Sequence, residues 1–122
     1  MTQEEKNLLL QDLCARLPYE VKVWNEGDIF NINYISSIYE EIHLDIADNY
    51  TIDVSEVKPY LFPLSSMTEE QKKEWRSLMI HDSYGILYPT IKSFDYLYKN
   101  HIDIRGLIPM GLAIDATNLK IY

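Results

Sequence analysis

The sequence predicts an α+β fold. A small antiparallel meander or SH3-like barrel over about residues 20–54 is packed with three helices, over about 3–17, 69–81 and 90–100. Three observations carry this expectation. Helix-start signals precede apolar residues at three- and four-residue spacing in three places. Between Val21 and Val54 the apolar period drops to two, the repeat of a half-buried strand. A chain of 122 residues that is 47% hydrophobic and 25% charged has the size and balance of one domain, with a core that needs no disulfide or metal.

The first helix starts at Thr2, with Glu5 three residues on. This is capping-box spacing, in which each side chain satisfies a free backbone donor of the other. Leu9, Leu10, Leu13 and Leu17 give it one apolar face, and Pro18 stops it. Cys14 beside that stripe reads as a small buried hydrophobe, because no cluster of positive charge is at hand to activate the thiol. Val21 and Val23 then alternate with Lys22 and Trp24, and "NEGD" supplies a turn. Phe30, Ile32 and Tyr34 alternate with Asn31 and Asn33. Ile42, Leu44 and Ile46 alternate with Glu41, His43 and Asp45, "ADN" turns the chain, and Tyr50, Ile52 and Val54 repeat the inward set. The result is a four-stranded meander with one wet face.

The stretch "SEVKPYLFPLSSMTEEQKKEW" reads as a hinge that leaves the sheet and enters a helix. Pro59 removes a ladder donor, while Val57, Tyr60, Leu61 and Phe62 plug a sheet end. Thr68 and Gln71 form a second capping box, followed by an apolar stripe of Trp75, Leu78 and Met79. Gly85 and Pro89 interrupt the pattern. Thr90 caps a third helix lined by Ile91, Phe94, Leu97 and Tyr98. The apolar, glycine-punctuated tail that follows is expected to pack rather than dangle, and its last residues "LKIY" could form an edge strand.

The blocks "KPYLFPLSSMTEEQKKE" and "RGLIPMGLAIDAT", with the leader "LLLQDLCARLPYEVKV", resemble a group of short uncharacterised proteins from gut anaerobic bacteria and their phages and prophages. The resemblance implies a bacterial or phage setting. It brings no established activity, so no catalytic residue is carried over.

Composition narrows the chemistry. A net charge of −8 from 19 acidic and 11 basic residues disfavours direct nucleic-acid binding. One cysteine, no basic leader and no long apolar run imply a soluble cytoplasmic protein outside the membrane. Gly106 and Gly111 have the spacing of a phosphate loop, but Leu112 and Ala113 stand where its lysine and hydroxyl belong. No cofactor is implied. Glu41, His43 and Asp45 share a strand face and form a weak candidate metal row, whose plainer reading is a solvated sheet face. His101 is placed to satisfy carbonyls at the end of the third helix. Arg105 could pair with Asp103 or Asp115 as an internal tether, or recognise an anion or peptide end. The aromatic content, 10 Tyr, 3 Phe and 2 Trp, favours protein contacts. The expected function is therefore non-enzymatic binding of a protein partner, with self-association included. Its surface would be the outer sheet face at Trp24, the loop from Lys58 through Tyr60 to Phe62, and Arg105. The alternatives are an acidic decoy of a nucleic-acid-binding host protein and a small hydrolase or metal enzyme built on His43.

Overall fold

The computed structural model describes residues 1–46 and 50–122, so the expected turn at 47–49 lies outside the described residues. Helix α1 (Gln3–Arg16) has the predicted capping box: Thr2 Oγ1 accepts from Glu5 N, and Glu5 Oε1 accepts from Thr2 N. Pro18 converts its end into a 3-10 turn, Leu17–Tyr19. Strands β1 (Lys22–Asn25), β2 (Asp28–Ser36), β3 (Glu41–Leu44) and β4 (Thr51–Asp53) pair antiparallel in sequence order. The β1–β2 connection is a two-residue turn, with Glu26 at φ 49° and Gly27 at φ 87°. Positive φ at both positions matches the twist of the strands it joins, and glycine makes the second position inexpensive.

Strand β2 departs from the expected alternation. Its register against β3 shifts between Ile32, opposite Leu44, and Tyr34, opposite His43. The extra residue, Asn33, forms a bulge that exchanges the two faces beyond it. Ile35 therefore takes the inward place opposite Ile42, and Tyr34 turns out, 52% exposed. Ile46 and Tyr50, both expected inside, are exposed as well.

The expected hinge is a fifth strand. After the 3-10 turn Val54–Glu56, β5 (Lys58–Leu61) returns beside β1, with Val23 opposite Pro59 and Trp24 opposite Lys58. In this register Pro59 takes a non-hydrogen-bonded position against β1, so its missing N–H leaves that ladder intact. Pro59, Tyr60 and Leu61 are buried, not presented on a loop. The same register would next bond Lys22 N to Tyr60 O. Instead the Tyr122 hydroxyl sits between them, accepting from Lys22 N at 2.9 Å and donating to Tyr60 O at 2.8 Å. "LKIY" thus forms no edge strand, but its last side chain stitches β1 to β5.

Helix α2 (Glu69–Ser77) is shorter than expected, because Ile80–His81 leaves the helix as β6 and pairs with β7 (Leu87–Tyr88). Helix α3 (Ile91–Lys99) is capped by Thr90, reciprocally with Ser93. Strand β8 (Ile114–Asp115) pairs parallel with β5 and completes a sheet of order β4-β3-β2-β1-β5-β8. Two apolar clusters result. The larger joins Leu9, Leu10 and Leu13 of α1 to the inward residues of the sheet and to Leu107, Leu112 and Ala113. The smaller joins Met67, Leu97 and Ile102, with Phe62 and Trp75 against them.

Two outcomes follow from this packing. Leu13 is fully buried, so Leu13→Ala should lower the unfolding free energy by about 2–5 kcal/mol in urea titrations. Tyr122→Phe should cost about 1 kcal/mol near neutrality by removing the stitch. Burial pushes the Tyr122 hydroxyl up from 10.0 to about 12. Its stabilising effect is therefore complete below the unfolded value and is lost as pH rises through that window. The gap between wild type and Tyr122→Phe should close there.

Candidate functional site

The polar centre of the molecule is a knot of charges that periodicity did not single out. Asp12 and Arg16, one helical turn apart on α1, are both fully buried. Arg16 Nε and Nη2 donate to the two carboxylate oxygens of Asp12 at 2.6 and 3.1 Å, and Nη2 also donates to Ile102 O at 2.6 Å. Arg105 Nη1 donates to Asp12 Oδ1 at 2.7 Å, and its Nη2 donates to the Tyr98 hydroxyl at 3.1 Å. Both guanidinium groups lie over the Tyr98 ring, at 5.2 and 5.7 Å from its centroid. Burial works against the Arg105 charge, but the Tyr98 hydrogen bond and the Asp12 carboxylate outweigh it and hold the guanidinium above its ordinary value. Arg105 is thus tethered to Asp12, not to Asp103 or Asp115. Asp103 instead accepts from Leu107 N and Ile108 N, both at 2.9 Å, and Asp115 accepts from Thr117. Cys14, expected in the buried arc, is exposed, because Asp12 and Arg16 occupy that arc. Partial burial pushes its thiol up rather than activating it.

The candidate metal row is wet only in part: Asp45 is exposed and Glu41 is half-buried. His43 is buried and stacks on Tyr34, with ring centroids 4.4 Å apart and 11° between planes. Its Nδ1 meets Asn33 Nδ2 at 3.2 Å. Asp45 is occupied by Asn31, accepting from the backbone N at 2.9 Å and from Nδ2 at 3.2 Å. The bulge that turns Tyr34 outward thus supplies the lid over His43. Among the described residues no group of three His, Cys, Asp or Glu side chains is poised to hold a metal ion.

A cleft of about 430 Å³ opens where α3 ends, lined by Phe62, Ser66, Gln71, Lys99, Asn100, His101, Ile102, Thr117 and Tyr122. His101 has φ 59°, and its ring stacks on Tyr122 at 3.6 Å instead of capping helical carbonyls. Its ring nitrogens make no hydrogen bond to a described residue, and Nδ1 is buried. Burial, reinforced by Arg16 and Lys22, pulls its pKa down from 6.5 to about 4. Among the described residues lining the cleft no carboxylate orients this imidazole, and the tyrosine beside it has its hydroxyl committed to the β1–β5 stitch.

A run of uncovered apolar side chains lies elsewhere, on the β6–β7 hairpin and the first turns of α3, apart from the exposed pair Ile38 and Tyr39 between β2 and β3. Asp82 organises the hairpin: Oδ1 accepts from Tyr84 N at 2.9 Å and Ile86 N at 3.0 Å, and Oδ2 accepts from the Tyr88 hydroxyl at 3.1 Å. Around it Ile80, Tyr84, Ile86, Leu87, Tyr88, Ile91 and Phe94 are 41–88% exposed. Of the stripe expected on α3, Leu97 is buried, but Ile91 and Phe94 face solvent. This surface was missed because Gly85 and Pro89 read only as an interruption. Gly85 between two short apolar pairs is itself a hairpin signal.

The residues proposed from sequence are dispersed. Trp24 is half-buried on the outer sheet face, between Ile29 of β2 and Lys58 of β5. Tyr60 is 6% exposed, Phe62 lines the cleft, and Arg105 is in the charge knot. Only Trp24 and Lys58 are brought together. No family model, curated protein or solved structure matches the chain.

Removing the Asp12 charge leaves two guanidinium groups without their shared partner, so Asp12→Ala should cost about 3–5 kcal/mol in urea titrations. A histidine whose pKa is depressed on folding contributes stability above its unfolded value and loses it as pH falls through the folded one. His101→Asn keeps a residue tolerant of positive φ and does not titrate. Wild type should therefore lose stability relative to this variant as pH falls from 6.5 to about 4, read as the difference in urea midpoints.

Proposed function

We propose that this protein is a non-enzymatic interaction module of bacterial or phage origin, acting in the cytoplasm through protein contacts. Its docking face is the β6–β7 hairpin with the start of α3. One observation carries this reading: the apolar side chains from Ile80 to Phe94 remain 41–88% exposed on one short stretch. Patches of this kind mark places where another surface is bound. Two tyrosines on the stretch add large contact area with polar tips and little side-chain entropy to lose. The meander, 3-10 turn and fifth strand beside the first support an SH3-like reading of the sheet, which by itself assigns no partner. Among the described residues no helix is long and apolar enough to cross a membrane, which is compatible with this setting.

A second reading is favoured by the charge distribution. Residues 1–68 hold 12 acidic and 4 basic side chains, whereas residues 69–122 hold 7 of each, so the whole −8 belongs to the α1 and sheet half. That half would suit a basic partner such as a nucleic-acid-binding host protein, held by contacts that salt weakens.

Capture from a bacterial lysate, with mass spectrometry of the retained proteins, separates these readings. Ile91 is 82% exposed, so Ile91→Asp should leave the far-ultraviolet spectrum and urea midpoint unchanged while abolishing capture. Capture that survives Ile91→Asp but is lost in Trp24→Ala would move the docking face to the sheet. Release of nucleic-acid-binding proteins by high salt alone would favour the acidic half.

A further inference from the structure

We infer that the occupant of the hairpin face is a second copy of this chain, packed about a two-fold axis. The inference rests on reading that face as a docking surface and adds the identity of the partner. The first argument is area. Tyr84 is 88% exposed, Ile91 82%, Ile80 65%, Ile86 54%, Tyr88 49%, Leu87 42% and Phe94 41%. Leu87 pairs with His81 and so lies on the hairpin face opposite Ile80 and Tyr88. The other six leave roughly 600 Å² uncovered at ordinary side-chain areas, the lower end of what each partner contributes to a specific interface.

The second argument is the hairpin itself. It has two strands of two residues each, with Asp82 as its sole residue that is not exposed between Ile80 and Pro89. A two-stranded hairpin is at best marginal in water without a third strand or a packed face. The lower half of the α3 stripe, at Leu97, is buried against α2, while Ile91 and Phe94 continue the stripe onto the uncovered side. Only Pro89 and Thr90 separate Tyr88 of the hairpin from Ile91 of the helix.

The third argument is charge. Two copies of a chain with net charge −8 repel, and the repulsion decides which surfaces can meet. Every unit of that excess lies in residues 1–68, and Ile80 to Lys99 contains two acidic and two basic side chains. The Asp82 carboxylate is turned onto its own hairpin by three hydrogen bonds. Pairing at this face therefore joins two stretches that carry no net charge of their own. A self-complementary patch needs no second kind of chain, and a two-fold interface closes without generating a filament.

Analytical ultracentrifugation of the full chain tests this, from micromolar to near-millimolar concentration. A reductant keeps the exposed Cys14 from linking copies. Wild type should pass from monomer to dimer as concentration rises. The Tyr84→Asp, Ile91→Asp double variant should self-associate about a hundredfold more weakly while keeping its urea midpoint. A wild type that stays monomeric throughout overturns the inference, as does a dimer that persists in the double variant. Lysate capture keeps the two claims apart. A monomeric wild type that still retains a host protein through Ile91 sinks the self-pairing and leaves the docking face standing. A dimer and a capture both indifferent to the double variant sink the two together.

Discussion

Asp12 and Arg16 sit one turn apart on α1 with no exposed surface, and what they hold explains why the molecule is one object. Taking two charges out of water is expensive, and their mutual attraction offsets this only when geometry and further hydrogen bonds are good. Here both Asp12 oxygens are used by Arg16, one of them is shared with Arg105, and Arg16 Nη2 also reaches Ile102 O. Ile102 belongs to the smaller apolar cluster, whereas the neighbours of Asp12 on α1, Leu9 and Leu13, belong to the larger. The knot therefore ties the two cores together through directional bonds. Arg16 Nη1 remains without a hydrogen-bond partner among the described residues. An apolar replacement of comparable volume could supply equal stability, but it would not specify the angle at which α1 meets the chain after α3.

The knot matters because of what passes beside it. The chain from Lys58 to Phe62 is the strip on which later elements align. β1 flanks it on one side, and β8 and Ala116 N, which donates to Leu61 O at 2.8 Å, flank it on the other. Beyond the end of β1, His101 and Asp103 replace that strand, with Phe62 N donating to His101 O and Asp103 N donating to Phe62 O, both at 2.8 Å. Arg16 grips Ile102, the residue between them, on its carbonyl oxygen. A displacement of α1 would thus be felt at Phe62 and along β5. The cleft at His101 opens at this same junction. Its stacked ring and committed Tyr122 hydroxyl are better explained as packing than as chemistry.

What was legible in the sequence was local. Capping boxes use residues three apart, so Thr2 and Thr68 announced their helices correctly, and Thr90 did so as a cap whose partner Ser93 only the structure shows. Val21, Val23, Ile42, Leu44, Ile52 and Val54 are all buried as their period implied. The failures share a cause, which is distance along the chain. Pro59 argues against a strand on its own, and only the partner's register shows that its nitrogen points away from the ladder. One extra residue at Asn33 exchanges two faces, and no propensity marks it. Asp12 and Arg16 are spaced as an ion pair, yet spacing alone describes an exposed helical pair as well as a buried one. Their burial is decided by Ile102 and Arg105, almost a chain length away. Leu, Ile and Tyr also satisfy the same pattern whether they meet a core or a partner. The stripe on α3 was therefore found correctly and assigned wholly to the inside, when only its second half is covered.

Charge divides along the chain more sharply than exposed apolar surface does. The sheet and α1 carry the acidic excess and bury Val21, Val23, Ile42 and Leu44, but they leave Tyr34, Ile38 and Tyr39 exposed. The half from α2 onward is neutral and leaves its apolar residues uncovered around Asp82. Net charge keeps copies apart by a force that reaches about a Debye length, ~8 Å at physiological salt, whereas apolar contact acts only on touching. Between two copies the repulsion is therefore weakest where the neutral stretches meet. The place of weakest repulsion follows from where the acidic residues stop along the sequence, at Glu56 until the second helix begins.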